Sequence, residues 1–144
     1  MLNTIQDDMK RSLKAGEKMR LSTLRMLLAA LKNESIEKRH ELSEEEIFTV
    51  IQREIKLRRH ASEEFKKGFR DDLVQEAEQE IIILESYLPR QLSDAELQAL
   101  AQQVVTELKA TPRDFGKAMR EIMLLIKGRA DGKRVQDMLR QVLG

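Results

Sequence analysis

The chain has 144 residues, a formal net charge of +1, 41% hydrophobic residues and no cysteine. That length fits one ordinary domain or two very small ones. Without cysteine there is no disulfide framework, no thiolate nucleophile and no sulfur-based zinc site, which is typical of a reducing compartment. No apolar run approaches the ~20 residues of a membrane span, and the N-terminus lacks a signal-peptide core. We therefore expect a cytoplasmic protein with no membrane partner.

The composition favours helices. Leu, Ile, Met, Glu, Lys, Arg and Gln dominate, and only four Phe and one Tyr occur. These dominant residues lose little conformational entropy in a helix. The charge is distributed unevenly, because residues 1 to 92 carry nearly equal numbers of acidic and basic side chains whereas residues 111 to 144 carry twice as many basic as acidic ones. Only the C-terminal end is basic.

A cap, a stop and a leucine stripe predict the first two helices. Thr4 suits the N-cap of a first helix, which Gly16 ends. A second helix begins near Glu17. Its buried face is predicted at four leucines with i, i+3, i+4 and i+7 spacing, namely Leu24, Leu27, Leu28 and Leu31.

Two further helices are predicted before Pro89. Ser43 and Glu46 form a Ser-x-x-Glu capping box, so a third helix begins there. Gly68 is expected to end that helix with a positive φ. Asp71 suits the first turn of a fourth helix, which ends at the break that Pro89 imposes.

Three shorter helices are predicted after Pro89. Ser93 begins a second capping box and a fifth helix. Thr111 and the proline after it suit the N-cap and first position of a sixth helix, which Gly128 ends. Asp131 can cap a seventh. We therefore predict an all-α fold, with an N-terminal helical hairpin or bundle at residues 1–88 and a small C-terminal three-helix bundle at residues 89–144.

The sequence offers no self-sufficient catalytic site. His40 and His60 lie in charged stretches without the spacing of a helical zinc site. Acidic clusters at residues 44–46 and 71–72 lie at helix starts, where the helix dipole accounts for them. There is no Gly-x-Ser-x-Gly elbow for a serine nucleophile. We predict no catalytic residue, no metal site and no cofactor.

The basic turn at residues 127 to 133 differs from a nucleotide-binding loop. Three residues instead of four separate Gly128 from Gly132, and Arg134 stands where a Ser or Thr would hold magnesium. A glycine-containing turn beside a helix N-terminus can still present groups to an anion. Five basic side chains are the candidate phosphate contacts, Lys117, Lys127, Arg129, Lys133 and Arg134. The alternative is a solvated turn without a ligand.

The chain resembles a known family nearly from end to end. Residues 18–34, Glu80 and residues 87–92 are similar to the N-terminal part of YqeY proteins, and residues 115–119 and 127–135 are similar to a signature shared with the tail of the GatB amidotransferase subunit. Departures lie in the middle of the chain. Leu57 and Ala61 stand where glutamine and serine are expected, and Gly68 lies one position early.

The resemblance implies a C-terminal part like the tail that GatB uses to hold transfer RNA during amidation of misacylated glutamyl- or aspartyl-tRNA. The chain has no room for GatB's catalytic cradle and no amidase domain to release ammonia from glutamine. The family's label as a carbon-nitrogen ligase with glutamine as amido-N-donor therefore describes ancestry or association.

Three interpretations of function follow. The leading one is a non-catalytic tRNA-binding accessory module that reads RNA by backbone and shape, because aromatic residues for base stacking are scarce. The second is a protein-interaction module that docks on an amidotransferase or aminoacyl-tRNA synthetase through an apolar groove between the two parts. The third is an enzyme component that acts only within a complex.

Overall fold

A computed structural model describes all 144 residues and contains seven α-helices, one 3₁₀ turn and no strand. The all-α prediction is confirmed. The chain divides into two compact units, the N-terminal unit Met1–Leu88 and the C-terminal unit Pro89–Gly144. The helices are α1 Leu2–Ala15, α2 Lys18–Lys38, α3 Glu44–Lys67, α4 Asp71–Glu85, α5 Asp94–Leu108, α6 Phe115–Ile126 and α7 Gly132–Leu143, with the 3₁₀ turn at Pro112–Asp114.

The leucine stripe of α2 provides much of the core of the N-terminal unit. Leu24, Leu27 and Leu31 are buried as predicted, whereas Leu28 is only partly buried because it lines an open groove. Ile5 of α1 and Ile81 and Leu84 of α4 also belong to this core. The apolar side of α3 contributes Ile47, Val50, Ile51 and Ile55. None of the helices is long and apolar enough to cross a membrane.

The ends of α1 differ in how well the sequence predicts them. Gly16 closes the helix with a φ of 71°, and its N–H donates to the Leu13 and Ser12 carbonyls. The start was predicted wrongly, because the helix begins at Leu2 and Thr4 lies inside its first turn. No side chain caps that start. A threonine that fits an N-cap pattern is also compatible with the first turn of a longer helix.

The end of α3 corrects the prediction for Gly68. Its φ is −87°, and the residue with positive φ is Phe69, at 56°. Phe69 N–H donates to Lys66 O and Arg70 N–H donates to Phe65 O, the two hydrogen bonds of a Schellman motif. The motif places its left-handed residue one position after the glycine. A phenylalanine that is 90% exposed therefore adopts a backbone conformation that glycine would adopt without strain.

A partly buried ion pair joins α3 to α4. Arg58 is 7% exposed, and its Nε donates to the Glu80 carboxylate at 2.7 Å. Its other nitrogens reach Glu54 O at 3.1 Å and the sulfur of Met26 at 3.7 Å. Glu80 is one of the residues that carry the family resemblance. Its structural role is to neutralise an arginine that the helix packing removes from water.

A second polar cluster ties the end of the N-terminal unit to its first helix. Tyr87 O–H donates to the Asp8 carboxylate at 2.6 Å, and Arg20 reaches both groups, at 3.4 Å and 4.0 Å. Burial and this hydrogen bond raise the pKa of Tyr87 to about 12. The same hydrogen bond lowers the pKa of Asp8, and the neighbouring Arg11 and Arg20 add to the effect. Arg20 and Tyr87 therefore stabilise the fold.

The first helix of the C-terminal unit, α5, begins at a side-chain cap. The Ser93 capping box is confirmed, because Ser93 Oγ accepts from Glu96 N–H and Glu96 accepts from Ser93 N–H, each at 3.1 Å. Thr111 caps the 3₁₀ turn, so α6 begins at Phe115, later than predicted. The core of this unit is apolar throughout and comprises Leu92, Leu97, Ala101, Val104, Ala118, Ile122, Ile126, Ala130, Val135 and Leu139.

Candidate nucleic-acid interface

Two successive left-handed residues form the turn between α6 and α7. Lys127 has a φ of 49° and Gly128 a φ of 80°, so the chain reverses directly after α6. Asp131 then caps α7, where its carboxylate accepts from Arg134 N–H at 2.8 Å. The turn thus lies beside a helix N-terminus, as predicted. That N-terminus is already occupied by the chain's own carboxylate.

Gln91 and Leu92 hold the turn in place. Leu92 N–H donates to Arg129 O at 2.7 Å, and the Gln91 side-chain amide donates to Gly128 O at 2.9 Å. The same amide also donates to Pro89 O. These bonds satisfy backbone carbonyls that would otherwise rely on water. The turn therefore has a defined shape.

Arg129 has a structural role. Its Nε donates to Ile126 O at 3.0 Å, and its terminal nitrogen donates to Leu125 O at 2.8 Å. These carbonyls belong to the last turn of α6, where no helical N–H is available to them. The guanidinium thus caps the C-terminal end of α6, and these two hydrogen bonds fix its orientation.

Arg134 is likewise committed within the unit. Its guanidinium donates to Leu92 O at 2.9 Å and forms an ion pair with Asp94 at the same distance. Arg134 therefore links the first turn of α7 to the start of α5. The sequence alone ranked this arginine equally with the nearby lysines, because a guanidinium's partners depend on which carbonyls the fold brings close.

The three predicted lysines differ from the two arginines. Lys117, Lys127 and Lys133 are exposed, and none has a hydrogen-bond or ion-pair partner in the chain. A fourth cation, Arg120, is exposed and unpaired in the same way, and sequence reasoning missed it. The spacing of Lys117, Arg120 and Lys127 could have revealed it, because positions i, i+3 and i+10 lie on one helical face.

We call Lys117, Arg120, Lys127 and Lys133 the cationic ridge. Acidic residues lie near it on the same helices. Glu121 and Asp137 are four residues after Lys117 and Lys133, but neither pair comes within ion-pair distance. Ammonium groups act as point charges for phosphate, and free ones can bind without first breaking an internal ion pair. The ridge can therefore contact a polyanion without breaking an ion pair of the chain. The cost is the conformational entropy that the long side chains lose when they become ordered.

Base stacking has little support in the C-terminal unit. Phe115 is its only aromatic residue and is partly buried, with the Arg140 guanidinium 5.7 Å from the ring centre. Elsewhere, His40 is exposed and lies 3.6 Å from Glu46. No three His, Asp or Glu side chains come together as a metal-ligand set. The chemistry that this surface offers is electrostatic contact with a phosphate backbone.

The fold defines a small all-helical protein of two compact units, of which the second carries four exposed cations without an internal partner. A family model described as Yqey-like protein matches residues 2–143. The chain therefore belongs to the YqeY-like family, and the resemblance to YqeY proteins is confirmed.

Several fungal proteins named "Altered inheritance of mitochondria protein 41, mitochondrial" are similar to the chain. The one from Pyrenophora tritici-repentis is 28% identical over 148 residues, which cover all of the chain and 81% of that protein. Those from Lachancea thermotolerans and Kluyveromyces lactis are 34% and 35% identical and cover 73% of the chain. The chain spans only 58% of the length of each of these two relatives.

These relatives correct the expected localisation. Their names are those of mitochondrial proteins, which contradicts a cytoplasmic assignment. The expectation was wrong because it rested on missing cysteines and a missing signal-peptide core. Neither feature distinguishes one reducing compartment from another.

Proposed function

We propose that the C-terminal unit is a non-catalytic tRNA-binding accessory module. The observation that carries this proposal is the cationic ridge, whose four side chains have no internal partner. The motif shared with the GatB tail supports tRNA as the polyanion, because the ridge residues lie within or beside that motif. The tRNA is held by its backbone and shape, with phosphates as the contacted groups.

The dimensions of α6 support several simultaneous contacts. Lys117 and Lys127 are ten residues apart, which corresponds to roughly 15 Å along the helix axis. A single phosphate cannot bridge that span, so the two lysines contact different phosphates. Lys133 adds a contact from the other side of the turn. The shape of the turn is maintained by Arg129 and Arg134, which act as positioning residues.

In this proposal the chain assists a glutamine-dependent tRNA amidotransferase or an aminoacyl-tRNA synthetase and does not perform amidation itself. Purified chain supplied with glutamine, ATP and misacylated tRNA is expected to form no amidated product. The rival proposals are docking on one of those enzymes without RNA contact and membership of an enzyme complex. Both predict that the affinity of the chain for RNA does not depend on the cationic ridge.

Salt dependence tests the proposal. A triple variant, Lys117→Gln, Lys127→Gln and Lys133→Gln, is compared with wild type for tRNA affinity from low to physiological salt. Each lost phosphate contact should flatten the plot of log affinity against log salt by roughly 0.7 to 0.9, so the loss of three contacts should lower the magnitude of the slope by roughly 2.1 to 2.7. Arg129 and Arg134 are left intact because their loss would distort the turn.

A matched control removes the same charge elsewhere. Lys14, Lys18 and Lys56 are exposed and unpaired lysines of the N-terminal unit. Changing these three to Gln should leave the slope unchanged. If both triple variants flatten it equally, the binding is non-specific and the ridge is not the interface. If wild type does not bind tRNA even at low salt, the proposal fails.

A further inference from the structure

Lys127 is the one member of the cationic ridge whose position is not fixed by a regular helix. Lys117 and Arg120 lie within α6, and Lys133 lies in the first turn of α7. Lys127 follows the last residue of α6 and has a φ of 49° and a ψ of 50°, in the left-handed region. That conformation is unfavourable for a residue with a Cβ. The position of this lysine therefore depends on the contacts of the turn.

Two other helices also end at a left-handed residue with a side chain. Arg39 and Lys109 have φ values of 61° and 51°. The N–H of each donates back to its own helix, to Ile36 O and Thr106 O. At the end of α6 the Lys127 N–H makes no such bond. Contacts from outside this helix must therefore help to hold Lys127.

Gln91 makes a side-chain contact that reaches this turn from a distant part of the unit. Its amide nitrogen donates to Gly128 O and to Pro89 O, each at 2.9 Å. The same nitrogen thus joins the residue after Lys127 to the segment that leads into α5. The Gln91 side chain is exposed and is not part of the apolar core. Removal of its donor should therefore leave the core intact.

The residues on both sides of Gln91 are themselves fixed. The Arg90 guanidinium donates to both carboxylate oxygens of Glu96, at 3.0 Å and 2.8 Å. Leu92 is 6% exposed, and its N–H donates to Arg129 O at 2.7 Å. A glutamine between two fixed neighbours can restrain the turn, whereas a mobile one would only follow it. The Leu92 bond belongs to the backbone, so Gln91 is the side chain that a substitution can test.

We propose that Gln91 is a positioning residue for phosphate binding, which holds Lys127 in the left-handed turn and thereby fixes its place relative to Lys117 and Lys133. This inference rests on the proposed function and adds to it a residue that acts through Lys127. Gln91 belongs to residues 87–92, a motif to which the cationic ridge assigns no role. The structure brings this motif against the turn of the second motif, residues 127–135.

A purely structural role for Gln91 makes a different prediction. It would lower the stability of the unit and weaken RNA binding whichever lysines are present. A positioning role requires that the effect on RNA disappears when Lys127 is absent, because two changes that act through one contact are not additive.

The first experiment uses the chain without RNA. Gln91→Met keeps the length of the side chain and removes its donor. Gln103→Met is the matched control, because Gln103 is an exposed glutamine of α5 whose amide donates to Glu107 one turn along the same helix. Gln91→Met should shift the amide NMR resonances of Lys127 and Gly128, and Gln103→Met should not. Unchanged resonances in Gln91→Met would overturn the proposal.

The second experiment measures tRNA affinity from low to physiological salt. Gln91→Met should weaken binding about four- to fivefold at physiological salt and flatten the salt plot by roughly 0.7 to 0.9, the effect of one phosphate contact. In a Lys127→Gln background the same change should alter neither quantity. In a Lys117→Gln background it should keep its full effect, because Lys117 lies at the other end of α6.

The outcomes separate this inference from the proposed function. Equal weakening by Gln91→Met in both lysine backgrounds would indicate a structural role and overturn the inference, as would wild-type affinity of Gln91→Met. If the triple lysine variant flattens the salt plot while either result is seen, the proposed function stands and only this inference fails. If the triple variant keeps the wild-type slope, both fail.

Discussion

The two units use their basic residues differently. In the N-terminal unit more than half of the Lys and Arg side chains form ion pairs within the unit, and in the C-terminal unit only Arg90 and Arg134 do. The net charge of +1 conceals this difference. The difference between the units shows that the number of cations in a chain is a poor guide to binding unless the partner of each cation is known.

The cores of the two units also differ. The N-terminal unit buries Arg58 against Glu80, whereas the core of the C-terminal unit is built from apolar side chains alone. A buried arginine requires its partner, since desolvation of an uncompensated charge is expensive. The N-terminal unit should therefore be sensitive to loss of one polar contact.

Among the stability tests described below, loss of Arg58 should have the largest effect on the free energy of unfolding. Arg58→Ala leaves Glu80 without its cation, and we expect the free energy of unfolding to fall by about 2 to 3 kcal/mol. Arg59→Ala is the control, because Arg59 pairs with Glu85 at the surface and should cost at most about 1 kcal/mol. Urea unfolding of both variants measures the difference. Equally small losses of unfolding free energy in both variants would show that the Arg58–Glu80 pair is not effectively buried.

The end of α3 should allow a smaller, stabilising change. Gly68→Ala together with Phe69→Gly places alanine at the C-cap of α3, where φ is −87°, and glycine at the residue with positive φ. An added Cβ at position 68 would meet no atom closer than 3.7 Å. We expect a gain of about 1 kcal/mol, because strain is relieved and the exposed ring contributes little packing. Gly16→Ala, at a φ of 71°, should have the opposite sign. A loss of stability in the double variant would contradict this account.

The capping boxes of the two units should respond alike to acid. Hydrogen bonds from Ser43 N–H and Lys38 lower the pKa of Glu46 to about 2, and those from Arg90 and Ser93 lower the pKa of Glu96 to about 2. A depressed carboxyl pKa stabilises the fold above the ordinary pKa near 4.5, and this contribution disappears as the pH falls toward 2. Glu96→Gln should therefore lower the melting temperature at pH 6 and have little effect at pH 2.

The unpaired Glu121 offers the control for this pH series. Glu121→Gln should shift the melting temperature much less than Glu96→Gln at pH 6. If the Glu96→Gln difference in melting temperature persists at pH 2, charge is not the source of the effect.

Limited proteolysis of the same samples also checks whether residues 1–88 and 89–144 form separate domains, which stays a prediction.

Local chemistry made several features predictable. The capping boxes at Ser43 and Ser93 and the glycine stop at Gly16 depend only on residues within a turn of each other, so their patterns were read correctly. The stripe of α2 was predictable because burial follows helical periodicity. Leu28 departed from it because no other element covers that position fully.

The helical character of the chain and most of its helix ends follow from caps and periodicity, which act over a few residues. The family follows from the motifs at residues 18–34, 87–92 and 127–135. Which cations remain without a partner depends on how the helices pack. Arg129 and Arg134 were equal to the lysines in the sequence, but the fold brings carbonyls and Asp94 within reach of their guanidinium groups. The partners of Arg134, Leu92 and Asp94, lie far away along the chain and have no local signature, so their effect appears only when the helices have packed.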